Sequence, residues 1–219
     1  MDNETIRILI ADDHSFVRKG LRTLISCEPG MVLVGEATNG CEAVGLAGTF
    51  KPDVILMDLL MPCKNGIEAI REIKGNGSSA RILVLTSFAD DDKVVPAIKA
   101  GASGYLLKDT LHDELLAAIR TIFHGKPSLH PVIAEKLMHE YAAQSDETPF
   151  QEALTEREIH VLKMVAKGLE NQEIAKMLGV SVRTISTHIS NILDKLNLAN
   201  RTQAALYALR QGLVNLNRS

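Results

Sequence analysis

The feature that most constrains this chain is an alternation between two kinds of segment along residues 1–125. Short apolar runs rich in β-branched residues are separated by stretches in which apolar residues recur every three or four positions. The first pattern predicts strands and the second predicts amphipathic helices. We expect strands at Ile6–Ala11, Met31–Ala37, Asp53–Asp58, Arg81–Thr86 and Gly104–Leu107. Five strand–helix units in succession predict an α/β fold, with a doubly wound five-stranded parallel sheet covered by helices on both faces.

The C-terminal part of the chain shows helical spacing throughout. Four short helices are predicted there, with a tight Gly-Val-Ser turn between the second and the third. Thr155 and Glu158 fit a capping box at the start of the first helix, and Asn171 and Ser181 fit N-caps of the next two. A fourth, apolar-striped helix is predicted over 202–216. This order of elements is typical of a small all-α helix-turn-helix domain.

The segment between these two regions fits neither pattern. It contains prolines and the polar run QSDETPFQ, around a single helical pattern at Val132–Tyr141. We therefore predict a first domain over 1–125, a linker with one helix over 126–152, and a helix-turn-helix domain over 153–219.

Charge is distributed unevenly over these three parts, although the net charge of the whole chain is only −3. Residues 1–125 hold 13 basic and 17 acidic residues, a net of −4, and residues 126–152 hold 2 and 5, a net of −3. Residues 153–219 hold 9 basic and 5 acidic residues, a net of +4. A basic C-terminal part on an acidic body suggests that this part meets a polyanion.

Composition excludes several classes of protein. Hydrophobic residues make up 46% and charged residues 23%, which excludes disorder as the main state. No apolar stretch approaches the roughly 18 residues of a membrane span, and the N-terminus lacks a secretory pattern. Cys27, Cys41 and Cys63 cannot all pair and lack metal-site spacing, so we expect a protein of the reducing cytoplasm.

Polar residues stand at the carboxyl ends of four predicted strands: Asp12 and Asp13, Asp58, Thr86 and Lys108. A parallel sheet brings these ends to one edge, where three carboxylates repel one another unless a cation joins them. Hard oxygen ligands with open positions suit Mg²⁺. Lys108 and Thr86 would stabilise a phosphoryl group arriving on one carboxylate. The alternative, that these are ordinary strand ends and that Asp12 or Asp13 caps a helix, explains each residue singly but not the whole set.

The third C-terminal helix has an apolar stripe and an opposite polar face. A helix lying in the major groove reads base edges with its exposed face and holds phosphates with its flanks. A merely solvated face is the alternative, which the preceding helix-turn-helix pattern disfavours. The predicted DNA contacts are Lys176, Arg183, Ser186, Thr187, Ser190, Lys195 and Arg201.

These motifs are similar to those of a known family. The Asp12–Asp13 pair, the run DLLMPCKNG that starts at Asp58, Thr86-Ser87 and Lys108 resemble the receiver domain of two-component response regulators. The segment LTEREIHVLKMVAKGLENQEIAKMLGVSVRTISTHISNILDKL resembles the LuxR-type helix-turn-helix. Their combination resembles the NarL/FixJ family of transcription factors, and the stretch TSFADDDKVVPAIKAGASGYLLK is similar to LiaR/VraR-type regulators of envelope stress.

The resemblance implies a flavodoxin-like first domain and a role for each residue of the acidic edge. Asp58 would be the phosphoacceptor. Asp13, Asp58 and the backbone carbonyl of Leu60 would bind Mg²⁺ directly, Asp12 would hold it through water, and Lys108 would pair with the phosphoryl group. Aspartate-nucleophile phosphatases need a second acid two residues after the nucleophile, and that position is Leu60 here. We therefore expect a phosphoryl acceptor and not a turnover enzyme. Because Leu60 and Phe88, two residues beyond Asp58 and Thr86, are apolar and cannot orient an attacking water, we expect the phosphoryl group to be lost slowly.

The resemblance also implies a switch and a set of partners. Thr86 would move to the phosphoryl group and Tyr105 would rotate into the vacated space; the alternative for Tyr105 is an amphipathic residue at a strand edge. Cys63 follows Asp58 in the same loop, where a redox role and an incidental small residue both remain open. The family often has lysine at the position of Ser186, so we expect modest affinity per monomer.

The implied function is regulation of transcription. A sensor histidine kinase would phosphorylate Asp58, and this would promote homodimerisation and sequence-specific binding to double-stranded DNA, with RNA polymerase as a further partner and no membrane contact. A DNA-binding protein whose first domain is a constitutive dimerisation module is the alternative. The presence of the complete set of phosphorylation residues disfavours it.

Overall fold

The computed structural model describes residues 5–87, 91–129, 154–196, 198 and 200–214. In this part of the chain a parallel sheet has the order β2-β1-β3-β4-β5-β6. Its strands are β1 Ile6–Ala11, β2 Met31–Ala37, β3 Val54–Asp58, β4 Arg81–Thr86, β5 Gly104–Leu107 and β6 Ser128–Leu129. The doubly wound α/β prediction is confirmed. The sixth strand extends the five that were predicted, because Ser128 and Leu129 pair with Gly104 and Tyr105 at the sheet edge.

Five helices cover the two faces of this sheet: α1 Ser15–Cys27, α2 Gly40–Phe50, α3 Gly66–Gly75, α4 Asp91–Ala100 and α5 His112–Phe123. One apolar core lies between the sheet and helices α2, α3 and α4, and it includes Leu9, Ile55 and Ile70. A second core lies on the other face with α1 and α5, and it includes Ile10 and Ile119. Burial on both faces is why the strands read as unbroken apolar runs.

The C-terminal part contains α6 Glu156–Ala166, α7 Asn171–Leu178, α8 Val182–Lys195 and α9 Arg201–Arg210, which enclose a third apolar core. The predicted Thr155–Glu158 capping box and the Ser181 N-cap are present. The prediction that Asn171 caps α7 is wrong, since Glu170 occupies the N-cap. The Asn171 side chain instead donates to Ser186 Oγ at 3.2 Å, which ties α7 to α8.

The last helix is shorter than its apolar pattern predicted, because α9 ends at Arg210. The helical pattern predicted at Val132–Tyr141 lies outside the described residues, and the three domain boundaries stay predictions. The helices of the described ranges are all too short or too polar to span a membrane.

The helical part packs against the α/β part through the N-terminal end of α9. Three side chains there donate to backbone carbonyls of the segment that ends α4 and leads into β5. Asn200 Nδ2 lies 3.0 Å from Ala102 O, Thr202 Oγ1 lies 3.0 Å from Ser103 O, and Gln203 Nε2 lies 2.8 Å from Ile98 O. Leu206 of α9 adds to the apolar core around α4. The first turns of α9 are therefore committed to a contact with the α/β part.

Candidate functional site

The predicted acidic edge forms where three strands of the sheet end. Asp12 directly follows β1, Asp58 is the last residue of β3, and Lys108 directly follows β5. The two aspartates are 2% and 3% exposed. Lys108 Nζ lies 2.7 Å from Asp12 Oδ2 and 2.7 Å from Asp58 Oδ2. Two buried carboxylates thus share one ammonium group, which partly offsets their repulsion.

The electrostatics of this cluster follow from its burial. Burial raises the pKa of the Asp58 carboxyl above its ordinary value, although the hydrogen bond and the charge of Lys108 act in the opposite direction. Burial alone would lower the pKa of Lys108, but its hydrogen bonds to Asp12 and Asp58 outweigh this, so that the pKa is raised. Lys108 therefore keeps its positive charge beside the carboxylate that the sequence marks as the phosphoacceptor.

Asp13 and His14 complete the acidic edge. His14 Nδ1 lies 2.7 Å from Asp13 Oδ1 and 4.0 Å from Asp58 Oδ2. One ligand atom from each of Asp12, Asp13, His14 and Asp58 falls within a 4.8 Å cluster. Three carboxylates converging on one point supply the hard oxygen donors that a magnesium ion prefers, so the residues fit this metal. His14 was not among the residues predicted from the sequence, and its place directly after Asp13 was the available signal.

The capping alternative for the two acidic residues is not supported by the start of α1. His14 is the N-cap of this helix and makes no side-chain cap hydrogen bond. Its backbone N–H donates to Asp12 Oδ1 at 2.8 Å, so this carboxylate is held in a tight turn just before the helix. The Asp12 side chain therefore stays at the acidic edge beside Lys108.

The β3–α3 loop (residues 59–65) runs directly from Asp58. The backbone N–H of Leu60 donates to Asp58 Oδ1 at 3.2 Å, which orients the carboxylate. The loop ends at Asn65, which forms a capping box with Glu68 at the start of α3. Gly66 follows, and a Cβ added there would collide with the backbone carbonyl of Asp58. The loop is therefore packed tightly against the end of β3.

A disulfide joins this loop to the start of α2. It links Cys41 with Cys63, whose Cα atoms are 6.2 Å apart. Their separation of 22 residues matches no motif, so the sequence carried no signal for this pair. Cys63 is thus covalently linked to α2 through Cys41. Cys27 is the free cysteine of the described residues.

The two predicted switch residues lie on neighbouring strands. Thr86 is the last residue of β4 and is 5% exposed. Tyr105 lies on β5 opposite Val84 and is fully buried within the apolar core around α4. The backbone carbonyl of Thr86 accepts from the backbone N–H of Lys108 at 2.7 Å. The end of β4 is therefore hydrogen-bonded directly to Lys108, which pairs with Asp58. The switching roles of Thr86 and Tyr105 stay predictions.

Helix α8 has the two faces that its sequence predicted. Its buried face consists of Ile185, Ile189 and Ile192. Arg183, Ser186, Thr187 and Ser190 are exposed. Ser186 and Ser190 also line a cavity of about 300 Å³ together with Lys74 and Arg81 of the α/β part. This part of the polar face therefore lies near the α/β part.

Lys195, the last residue of α8, is engaged within the helical part. Its Nζ lies 2.9 Å from Glu158 Oε2, and Glu158 is 4% exposed. The hydrogen bond from Lys195 lowers the pKa of Glu158 to about 2 against the opposing effect of burial, with further help from Thr155. The ion pair locks the end of α8 to the start of α6. The predicted phosphate contact of Lys195 would compete with it.

The predicted phosphate contact of Arg201 differs from what the structure shows. Arg201 is 8% exposed, and its Nη1 donates to Asn171 Oδ1 at 2.7 Å while its Nη2 donates to the carbonyl of Leu169. Burial, and secondarily Arg81, lowers its pKa to about 10. The guanidinium connects the start of α9 to α7 and is turned away from solvent, so the prediction that it reaches a phosphate is wrong for this arrangement. Lys176 and Arg183 remain exposed cations beside the α8 face.

Comparison with known families gives two matches that together cover most of the chain. Residues 8–120 match the response regulator receiver domain. Residues 152–208 match the bacterial regulatory proteins of the luxR family. The acidic edge falls within the first match, and helix α8 falls within the second.

Several individual proteins are similar over nearly the whole chain. The transcriptional regulatory protein LiaR of Bacillus subtilis is 45% identical over 96% of this chain and all of its own length. The response regulator VraR of Staphylococcus aureus is 39% identical over 96% of this chain and 99% of its own. The crystal structure of the response regulator ChrA, from a heme-sensing two-component system, has a TM-score of 0.54 at 34% identity, covering 96% and 100% of the two chains. RcsB dimers bound to DNA have a TM-score of 0.57 at 26% identity, covering 94% and 98%.

Proposed function

The chain belongs to the two-component response regulators that join a receiver domain to a LuxR-type DNA-binding domain, and on this premise we propose that phosphorylation of Asp58 switches its binding to DNA. Members of this family are transcriptional regulators and not turnover enzymes. The observation that carries the proposal is the buried Asp58 carboxylate with Lys108 Nζ at 2.7 Å. We assign the phosphoryl donor to a sensor histidine kinase, and the place of action to the cytoplasm, where such a donor and the DNA are both within reach.

The chemistry at the acidic edge follows from the side chains there. A carboxylate oxygen of Asp58 forms the new bond to phosphorus as the donor's own bond to phosphorus breaks. Lys108 pairs with the phosphoryl oxygens, and the Thr86 hydroxyl donates to one of them. Asp13, Asp58 and the carbonyl of Leu60 would hold Mg²⁺ directly and Asp12 would hold it through water, and the ion would supply positive charge that offsets the negative charge of the phosphoryl group.

The contact between the two parts of the chain supports a closed resting state. Helix α9 is held against the α/β part by its hydrogen bonds to the carbonyls of Ile98 and Ser103. Ser186 and Ser190 of α8 line the cavity beside this contact, and a DNA duplex would have to enter this space to reach them. We infer that phosphorylation weakens this contact, and that separation exposes α8 for double-stranded DNA and α9 for a second copy of the chain.

Treatment of the protein with acetyl phosphate and Mg²⁺ tests the proposal. We expect one phosphoryl group per chain by intact mass, none in Asp58→Asn, and a strong reduction when Mg²⁺ is removed. Sedimentation and fluorescence anisotropy with a selected operator then report dimerisation and DNA affinity, both of which should rise with phosphorylation. Stoichiometric uptake by Asp58→Asn would refute the assignment of the acceptor. Equal DNA affinity with and without the phosphoryl group would refute the switch.

A further inference from the structure

The disulfide between Cys41 and Cys63 joins the loop that follows the phosphoacceptor to the start of α2, at the surface of the protein. Cys41 is the second residue of α2, Cys63 is in the β3–α3 loop, and both residues are exposed. We propose that this pair is a site of reversible thiol oxidation, which exchanges with low-molecular-weight disulfides and sets the order of the loop that follows Asp58. The consequence for phosphorylation rests on the function proposed above.

Exposure of both residues allows the exchange chemistry. A thiolate of one cysteine attacks the low-molecular-weight disulfide RSSR and releases one RSH, which leaves a mixed disulfide on the protein. The second cysteine then attacks the bonded protein sulfur and releases the second RSH. The cysteine pair thereby loses two electrons and two protons, and RSSR becomes two RSH. Reduction by two thiols reverses both steps.

The backbone of the loop shows why the bond matters locally. Cys63 has φ of +68°, in the left-handed region that residues with a side chain rarely adopt. The backbone N–H of Lys64 donates to the carbonyl of Pro62 at 2.8 Å and closes a turn around Cys63. The disulfide adds a second restraint, because it fixes the Cys63 side chain to α2. Reduction removes this restraint, so the loop gains access to conformations in which Cys63 returns to negative φ. Leu60, whose backbone N–H donates to Asp58 at 3.2 Å, lies three residues before Cys63 in the same loop.

The oxidised protein should therefore be the better phosphoryl acceptor. Leaving the left-handed region is favourable enough to reduce the population of the ordered loop about fivefold. We expect the initial rate of phosphoryl uptake from acetyl phosphate to be about fivefold lower in the reduced protein by the same reasoning. Backbone amides of Leu60, Met61, Cys63 and Lys64 should exchange hydrogen faster in the reduced protein, whether or not the protein accepts a phosphoryl group.

The first experiment equilibrates the full chain in glutathione buffers of graded oxidised-to-reduced ratio, quenches it with an alkylating agent and maps the peptides. Cys41 and Cys63 should lose their alkylation together and reappear as one linked peptide. In Cys41→Ser, Cys63 should instead hold a mixed disulfide with glutathione. Cys27→Ser is the matched control and should titrate like the parent protein. Full alkylation of both cysteines in the most oxidising buffer, or resistance to dithiothreitol in the folded state, would overturn the proposal.

The second experiment compares oxidised and reduced protein directly, so that it does not depend on a variant that folds. Slower loop exchange and faster phosphoryl uptake in the oxidised form support the proposal. Equal exchange in both forms overturns it, even if Asp58 is phosphorylated normally. A redox-dependent loop in a protein that accepts no phosphoryl group would leave the thiol site standing and would count against the proposed function instead.

Discussion

The contact between α9 and the α/β part can be weakened without disturbing either part. Thr202 and Gln203 are 3% and 8% exposed, and each donates a hydrogen bond to a carbonyl of the other part. We choose the double substitution Thr202→Ala, Gln203→Ala. Asn200 is left in place because its side chain also accepts from the backbone N–H of Gln203 at 3.0 Å and so caps α9.

The expected size of the effect follows from the two lost bonds. Each side chain to backbone hydrogen bond contributes about 1–1.5 kcal/mol when its loss leaves a buried carbonyl without that donor. Two of them amount to about 2–3 kcal/mol, which corresponds to a shift of roughly 30- to 150-fold in the equilibrium between closed and open forms. The two residues are neighbours in one contact, so the single substitutions need not add up to the double one.

Operator DNA affinity of the unphosphorylated protein is the assay, with small-angle scattering to report separation of the two parts. The double variant should bind without a phosphodonor nearly as tightly as the phosphorylated parent does. Thr121→Ala is the matched control, since the Thr121 hydroxyl bonds only the carbonyl of Ala117 within its own helix among the hydrogen bonds of the described residues. A double variant that stays compact and binds DNA no better than the unphosphorylated parent would show that this contact does not restrain the DNA-binding part.

Three further predictions concern other residues. The aspartyl phosphate should outlast the seconds timescale because Leu60 cannot orient an attacking water, and a substitution of Leu60 by glutamine should shorten its lifetime as followed by intact mass. The pKa of Glu158 in the folded state is depressed to about 2. The stabilisation from the Glu158 carboxylate is therefore complete above the unfolded pKa and is lost as pH falls toward 2. Glu158→Gln should lower the urea midpoint at pH 7 by the equivalent of about 1–2 kcal/mol but have little effect near pH 2. Thr187→Ala and Ser190→Ala should change the affinity ratio between operator and scrambled DNA; if Lys195→Ala alone changes it, our assignment of the α8 faces is inverted.

The strands could be predicted because the sheet is parallel and covered on both faces. Burial on both sides selects continuous apolar runs, and these define the five longer strands almost to the residue. Asp53 is the exception, since β3 begins at Val54 and the Asp53 carboxylate accepts from the backbone N–H of Arg7 at 2.8 Å. The two-residue strand β6 exists only through its pairing with β5, and a pair of residues carries no periodicity from which to predict it.

The acidic edge could be predicted for a different reason. Parallel strands end on one side, so Asp12, Asp58 and Lys108 had to meet once the strand order was known. Arg201 could not be placed in the same way, because its burial depends on Asn171, which lies 30 residues away on another helix. A cation in a polar stretch looks exposed until the packing of the helices is known.

The disulfide lies at the same edge as the phosphoacceptor, and topology explains why. Helix α2 starts just after β2 ends and the β3–α3 loop starts where β3 ends, so both cysteines lie beyond the carboxyl ends of their strands. Strands β2 and β3 pair with β1 on either side. The segments that follow β2 and β3 can therefore reach each other across the carboxyl end of β1. The pairing follows from strand order, which the spacing of the cysteines alone does not reveal.

Strand β5 connects the phosphoacceptor site to the contact with α9. Ser103, just before the strand, accepts a hydrogen bond from Thr202, and Lys108, just after it, pairs with Asp58. If phosphorylation at Asp58 weakens the contact at Ser103, thermodynamic linkage requires that a weakened contact favours the phosphorylated state by the same factor. The Thr202→Ala, Gln203→Ala variant should therefore bind a reversible phosphoryl analogue such as beryllofluoride more tightly than the parent. Equal affinities for beryllofluoride in calorimetric titrations would mean that the site and the contact are independent, whatever the variant does to DNA binding.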